Sequence, residues 1–134
     1  MKTVMVNGTF DVLHPGHMAL LNTARSYGDS LIVAIDTDRR VRELKGEGRP
    51  INNQIDRKIM LSNIKAVNLV EFFDSTEELI KLMQKYKPDV YVKGSDWKHD
   101  TESTAHRYCK EVIYYDRIEE YSSTKIIQSI IDRR

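Results

Sequence analysis

Short apolar runs alternate along the chain with longer stretches in which apolar residues recur every three or four positions. The runs are rich in branched and aromatic side chains, a composition typical of buried strands. Five of them are predicted to be strands: residues 4–6, 31–35, 69–73, 90–92 and 112–115. Because strands that alternate with helices form parallel sheets, the pattern predicts an α/β fold with helices flanking a parallel five-stranded sheet.

Apolar residues at helical spacing predict four helices, over residues 16–27, 53–64, 75–86 and from 122 onward. Gly28 follows the first helix, a capping box begins at Ser75, and Pro88 lies beyond the third helix. The side chains expected to form the packed faces are Leu20, Leu21 and Ala24; Ile59, Met60, Asn63 and Ile64; Leu79, Leu82, Met83 and Tyr86; and Ile126, Ile127, Ile130 and Ile131.

The polar stretch of residues 39–53 is predicted to be a loop, long for a connection within a domain. Long ordered loops are often functional. In open parallel sheets, ligands bind beyond the carboxyl ends of the strands, and the turns at residues 7–11, 36–38 and 93–97 are expected to lie there. The pattern therefore predicts a single Rossmann-like domain with its site at that edge of the sheet.

Composition narrows the possible functions. The chain has 134 residues, 40% hydrophobic and 31% charged, so we expect one domain, residues 1–134, with its own core. A formal net charge of +1 provides no overall field to attract nucleic acid. A single cysteine and the lack of an apolar stretch near the ~20 residues that span a bilayer favour a cytoplasmic protein without a membrane partner.

The segment from Gly8 to His17 carries the strongest chemical signal. A strand arrives at a glycine turn, and His14 and His17 follow where a helical pattern begins. Backbone N–H groups at a helix start lack intrahelical partners and attract anions, and imidazoles beside them add further donors. The pattern predicts a site that holds a phosphate and stabilises the charge that develops as the phosphate reacts.

Other polar residues fit the same chemistry. Lys45 is expected on a glycine-flanked loop that closes over a triphosphate. Arg57 lies near a helix start, where its positive charge opposes the helix dipole unless an anion is nearby. Ser122, Ser123 and Thr124 begin the last helix; capping explains one hydroxyl, and a β,γ-phosphate site explains the excess.

Carboxylates and an aromatic residue at predicted strand ends have more than one interpretation. Asp11 either holds its turn or orients a ligand hydroxyl, and Asp96 is expected to contact ribose or the acceptor. Asp36 and Asp38 serve either as turn residues or in the site. Trp97 either stacks on a base or packs in the fold.

A zinc site is the competing interpretation of the histidines. His14 and His17 form one pair of ligand-type residues, and His106 and Cys109 form another. Because Pro15 begins a helix between the first two, we do not expect them to converge as a fixed chelate. We predict no metal held by the protein alone, and Mg²⁺ carried mainly by nucleotide phosphates.

Together these motifs resemble the cytidylyltransferase-like nucleotidyltransferases, in family order and over nearly the whole chain. The motifs are Gly8-Thr9-Phe10-Asp11, His14-Pro15-Gly16-His17, Lys45-Gly46, Arg49-Pro50-Ile51-Asn52, Arg57, Val92-Lys93-Gly94-Ser95-Asp96 and Ser122-Ser123-Thr124-Lys125-Ile126-Ile127. The resemblance implies transfer of a nucleoside monophosphate from an NTP to a sugar or polyol phosphate, with release of pyrophosphate. It also implies a homodimer.

The resemblance assigns roles to individual residues. His14, His17 and Lys45 are implied to be catalytic. The implied nucleotide-binding residues are Gly8, Thr9, Phe10, Asp11, His14, His17, Arg57, Ser122, Ser123 and Thr124, and the implied acceptor-binding residues are Asp11, Lys45, Asp96 and Trp97. Arg117 lies five residues before Ser122, and from this position we expect it to bind the same nucleotide phosphates.

Two branches of the family compete. Residues 45–52, 73–76 and 93–94 resemble the adenylyltransferases of ADP-heptose synthesis, which join ATP to D-glycero-D-manno-heptose 1-phosphate. Residues 96–97 and 122–126 resemble glycerol-3-phosphate cytidylyltransferase, which makes CDP-glycerol from CTP. We expect the heptose branch. A non-catalytic nucleotide-binding subunit is the alternative of another class, although a mere binder need not retain every transition-state contact.

Overall fold

The computed structural model describes residues 1–94, 107–116 and 121–134. Strands and helices alternate through most of the chain, as the hydrophobic pattern predicts. Their order is β1 (Thr3–Gly8), α1 (Pro15–Ser26), β2 (Ser30–Asp36), α2 (Asp38–Lys45), α3 (Gln54–Ser62), β3 (Leu69–Phe73), α4 (Thr76–Tyr86), β4 (Val90–Gly94), β5 (Glu111–Tyr115) and α5 (Ser123–Asp132).

The five strands form one parallel sheet in the order β3-β2-β1-β4-β5. Strand β1 is central, with Val4 opposite Leu31 of β2 on one side and Val90 of β4 on the other. The chain builds the sheet outward from β1 in one direction and then continues from β4 in the other. This reversal leaves a crevice beyond the carboxyl ends of β1 and β4, the usual place for a ligand in such sheets. The predicted fold class is confirmed.

Side chains that alternate along the strands form two cores, one on each face of the sheet. On the first, the α1 face, Val6 and Val33 pack with Leu21 of α1 and Leu61 of α3. On the second, the α4 face, Met5, Ile32 and Tyr91 pack with Leu79 and Met83 of α4. None of the helices in the described ranges combines the length and apolarity needed to cross a membrane.

The prediction of a loop over residues 39–53 is wrong for its first half, which forms α2. Thr37 caps this helix by accepting a hydrogen bond from the N–H of Arg40, and Val41 is its buried residue. Most of its residues are charged, so the stretch has the composition of a loop although it forms a helix. Lys45 is therefore the last residue of a helix, and the loop begins at Gly46.

The packed faces of two other helices differ from the prediction. In α3 the buried residues are Arg57 and Leu61, whereas Ile59 is 55% exposed. This difference arises because the helix turns its arginine, not its isoleucine, toward the sheet ends. Helix α5 has no buried residue, and Ile130 is 61% exposed; Ser123, in its first turn, bonds the helix to the turn after β1. By contrast, Leu21 and Ala24 of α1 are buried as predicted.

Candidate active site

The turn between β1 and α1 lies at the crevice and is held in a strained conformation. Phe10 has φ 53° and Val12 has φ 49°, in the left-handed region that bulky or β-branched side chains rarely adopt. The Phe10 ring is buried, and a Cβ added to Gly8 would lie 2.9 Å from it. A glycine at position 8 therefore lets the phenylalanine fold back under the turn. Strain of this kind persists only where the surroundings enforce it.

His14 and His17 cap the first turn of α1 reciprocally. Nδ1 of His14 accepts a hydrogen bond from the N–H of Gly16 at 3.1 Å, and Nδ1 of His17 accepts one from the N–H of His14 at 3.2 Å. A neutral imidazole that accepts at Nδ1 carries its hydrogen on Nε2. The cap thus makes Nε2 the donor atom of both rings, at the end of the helix that attracts anions.

The two imidazoles lie close together, with ring centroids 3.9 Å apart. A Cβ on Gly16 would come within 2.8 Å of Cε1 of His14, so the residue between the histidines has to be small. Tyr121 stacks beside His14 at a centroid distance of 6.1 Å. The Nδ1 atoms of both rings are bound to backbone N–H groups. Among the described residues, no group of three or more histidines, cysteines or acidic residues forms a metal-binding arrangement.

Asp11 ties the turn to the segment before α3. Its buried carboxylate accepts hydrogen bonds from the N–H groups of Ile51 at 2.6 Å, Asn52 at 2.9 Å and Val12 at 3.0 Å. Of the two interpretations of Asp11, these contacts support the one in which it holds the turn. A carboxylate with three backbone donors is oriented by the protein and has little capacity left for a ligand hydroxyl.

Arg57 lies beneath the site. Its side chain is fully buried. The guanidinium donates to the carbonyls of Asn52 at 3.0 Å, Thr9 at 2.9 Å and Asp36 at 2.8 Å, and to the carboxylate of Asp38 at 2.8 Å. It thereby joins the ends of β1 and β2 to the starts of α2 and α3. A contact between Arg57 and a nucleotide stays a prediction, but this geometry exposes no atom of the side chain that would make it.

The hydroxyls at the start of α5 divide into separate roles. Ser122 caps the helix by accepting from the N–H of Lys125 at 3.3 Å. Ser123 donates to the carbonyls of Asp11 and Val12 and so fastens α5 to the strained turn. Thr124 is the exposed member of the three. The excess of hydroxyls thus has a structural explanation for Ser123, and Thr124 is the residue best placed to meet a phosphate.

Arg49 was identified from the sequence only as part of a family motif, without a role. Its Nη1 lies 3.4 Å from Oγ1 of Thr124, across 75 residues of sequence. Its Nε is buried and has no hydrogen-bond partner among the described residues. An arginine between Gly48 and Pro50 in a polar loop is the local signal that points to it. The structure adds Arg49 to the α5 side of the site.

The remaining predicted residues are placed as follows. Oγ1 of Thr9 lies 3.4 Å from the carboxylate of Asp36, which also accepts from Nε of Arg40 at 2.8 Å. Lys45 is exposed at the end of α2. The next residue, Gly46, has a φ of 99° and begins the loop. Predictions for four further residues lie outside the described residues: Asp96, Trp97, His106 and Arg117.

The chain is similar in sequence to one protein family and to several curated proteins. A family model described as cytidylyltransferase-like matches residues 5–129. The bifunctional protein HldE of Helicobacter hepaticus is 46% identical over 131 residues, which are 96% of this chain and 26% of that protein. HldE of Campylobacter concisus is 45% identical over 133 residues, 99% of this chain and 28% of that protein. The chain therefore spans about a quarter of the length of these relatives.

Solved structures share the fold. The lipopolysaccharide core biosynthesis protein of Thermoplasma volcanium superposes with a TM-score of 0.76 at 26% identity, covering 91% of this chain and 99% of that one. The pantoate-beta-alanine ligase of Francisella tularensis has a TM-score of 0.60 at 18% identity, covering 96% of this chain and 68% of that one. The second similarity shows the fold alone.

Proposed function

Since this chain belongs to the cytidylyltransferase-like family of nucleotidyltransferases, we propose that it transfers a nucleoside monophosphate from an NTP to a sugar phosphate. A phosphate oxygen of the acceptor attacks the α-phosphorus, the bond to the bridging oxygen breaks, and pyrophosphate leaves with the bonding electrons. The observation that carries the proposal is the reciprocal histidine cap, which makes Nε2 of His14 and His17 hydrogen-bond donors at the start of α1.

The side chains divide the work of such a transfer. Both imidazoles and the first N–H groups of α1 stabilise charge on the α-phosphate as the new bond forms. Thr124 and Arg49 at the start of α5 hold the leaving pyrophosphate. Lys45 would reach the triphosphate from the end of α2, where its side chain is exposed beside the Gly46 loop. Asp11 and Arg57 keep the turn in place beneath them.

ATP and heptose 1-phosphate are the substrates that we propose, with ADP-heptose as product. The support is the resemblance of residues 45–52 and 93–94 to the heptose branch, together with the HldE relatives and the lipopolysaccharide core protein. The second candidate pair is CTP with glycerol 3-phosphate, favoured by residues 122–126. Base choice depends on a few hydrogen bonds to the base edge, which side-chain identity scarcely records.

Three further properties belong to the same proposal. Mg²⁺ arrives with the nucleotide and neutralises phosphate charge when bound. The donor set fits an ion held mainly by phosphates, because the Asp11 and Asp36 carboxylates are bound to protein N–H groups, a hydroxyl and Arg40. The enzyme acts as a homodimer, which light scattering would test, and in the cytoplasm.

The test is a panel that follows pyrophosphate release. ATP and CTP are each offered with heptose 1-phosphate, glycerol 3-phosphate and other sugar phosphates, and we expect ATP with heptose 1-phosphate to be the best pair. His17→Ala is expected to lower kcat by roughly 10²–10³-fold, as for other lost transition-state donors. No release with any pair would favour the non-catalytic nucleotide-binding subunit. A clear preference for CTP with glycerol 3-phosphate would favour the second candidate.

A further inference from the structure

Four aromatic rings form a row at the start of α1. The Phe10 and His17 rings have centroids 5.4 Å apart, and the His17 and His14 rings have centroids 3.9 Å apart. Tyr121, which precedes the cap residue of α5, continues the row, with its ring centroid 6.1 Å from that of His14 and an interplanar angle of 18°. This distance and angle correspond to the offset stacking that aromatic rings prefer. The His14 imidazole therefore has two ring neighbours, one from its own helix and one from the start of α5.

The position of Tyr121 is fixed by contacts that do not involve its ring. The next two residues hold the start of α5, because Ser122 caps the helix and Ser123 donates to two carbonyls of the strained turn. Tyr121 also lies against the first turn of α1, since its Cβ is 3.1 Å from the position of a Cβ built on Gly16. The tyrosine ring is thus presented to the imidazole by two anchored helix starts.

We infer that Tyr121 is a positioning residue that holds the plane of the His14 imidazole, and with it the direction of the Nε2–H group; this inference rests on the proposed function. The bond from the N–H of Gly16 to Nδ1 fixes one point of the ring. A hydrogen bond tolerates a misalignment of about 30°, so this bond alone would let the ring tilt. A flat neighbour at a small interplanar angle limits the tilt. A tilt of about 30° would move Nε2 by about 1 Å, and a misplacement of this size costs on the order of 10²-fold in rate.

The expected effect of removing the tyrosine ring falls on catalysis and not on nucleotide binding. In the proposed function, His14 stabilises charge that develops on the α-phosphate, whereas Thr124 and Arg49 hold the pyrophosphate. The backbone contacts of Ser123 keep the start of α5 in place when the ring is lost. Tyr121→Ala should therefore lower kcat by roughly 10- to 100-fold. The KM for the NTP should stay within about twofold, because the assigned pyrophosphate contacts are retained.

The experiment combines the kinetics of pyrophosphate release with NMR spectra of the imidazole nitrogens in the ligand-free protein. In the wild type the spectra should show His14 with its hydrogen on Nε2. In Tyr121→Ala the His14 signals should shift and broaden, and those of His17, one ring further along the row, should change less. Tyr121→Phe keeps the ring and should restore both the spectrum and kcat. Tyr121→Leu keeps apolar bulk without a flat face and should behave like Tyr121→Ala, so failure of one variant to fold still leaves a result.

Tyr27→Ala is the matched control, because Tyr27 caps the other end of α1 and is 37% exposed. It should leave kcat and the His14 signals unchanged. A raised KM with unchanged kcat in Tyr121→Ala would overturn the inference, since the residue would then only hold α5. Equal losses in Tyr121→Phe and Tyr121→Ala would also overturn it, because the hydroxyl and not the stacked ring would then matter. If the wild type releases no pyrophosphate, the proposed function is refuted, and the spectra alone decide whether Tyr121 holds the ring: unchanged His14 signals in Tyr121→Ala would show that it does not.

Discussion

Arg57→Lys is expected to destabilise the protein even when no ligand is present. The guanidinium reaches four acceptors from three nitrogen atoms, in the carbonyls of Asn52, Thr9 and Asp36 and the carboxylate of Asp38. A lysine keeps the charge but has a single nitrogen, which cannot span all four. At least two buried acceptors would therefore lose their donor.

The expected loss can be estimated from those acceptors. A buried group left without its partner costs about 1–3 kcal/mol, so two of them give about 2–6 kcal/mol for Arg57→Lys. Arg57→Met also leaves the Asp38 carboxylate unpaired, and breaking a buried pair costs about 3–5 kcal/mol. For a domain of this size, roughly 3–5 °C of Tm corresponds to each kcal/mol, so Arg57→Lys should unfold roughly 6–30 °C below wild type.

Thermal unfolding of the ligand-free protein is the assay. Arg42→Lys, on the exposed side of α2, is the matched control and should change stability by no more than about 0.5 kcal/mol. If Arg57→Lys unfolded at the wild-type temperature while its affinity for nucleotide fell, the reasoning would be refuted. Arg57 would then act by touching the nucleotide, as the family resemblance implies.

Three further predictions concern the turn, the α2 region and the α5 side of the site. Val12→Asn should raise the free energy of unfolding by about 0.5–1 kcal/mol, because asparagine tolerates the left-handed conformation better than valine does; a lower Tm would contradict this. Arg39 and the Thr37 hydroxyl hold the pKa of Asp74 below its ordinary value. The ionised Asp74 therefore stabilises the folded protein above the unfolded-state pKa, and this contribution is lost as pH falls through the lower folded-state pKa. Asp74→Asn should therefore flatten the acid side of the stability profile in pH-dependent unfolding, and an unaltered profile would argue against the pair. Arg49→Gln should raise KM for the NTP by roughly tenfold, with Tm nearly unchanged, because the contact that we propose between Arg49, beside Thr124, and the pyrophosphate is one charged hydrogen bond. An unchanged KM would remove Arg49 from the site.

The sequence predicted the parts of the structure that short segments determine. Strands that are buried on both faces appear in the sequence as apolar runs. The start of α1 is specified by the four residues from His14 to His17. Helix α2 was missed because it buries only Val41 and is otherwise mostly charged, so its composition is typical of a loop. The exposed face of α3 was misassigned for a related reason, since the residue turned inward is a fully buried arginine.

The roles of Asp11, Arg57 and Ser123 depend on contacts distant in sequence. Asp11 meets Ile51 forty residues later, and Ser123 reaches back more than a hundred residues to the same turn. Such contacts become visible only once the strand order is known, because it is the sheet that brings these loops together. The sequence could therefore mark these positions as polar residues at a site, but not separate residues that meet a ligand from residues that hold the turn.

The buried carboxylate of Asp11 has a consequence for how the irregular connection before α3 opens. The N–H groups of Ile51 and Asn52 lie outside helices and strands, yet both are bonded to a side chain anchored beside the central strand. Their amide hydrogens should therefore exchange with solvent as slowly as those of β1, because exposing them requires the sub-global opening that also disrupts the strand end. Residues 51–52 then belong to the most protected part of the molecule. In the part of the chain that the structure describes, nothing lies within 4 Å of a Cβ built at Gly46 or Gly48, so packing restrains the start of this connection far less than its end.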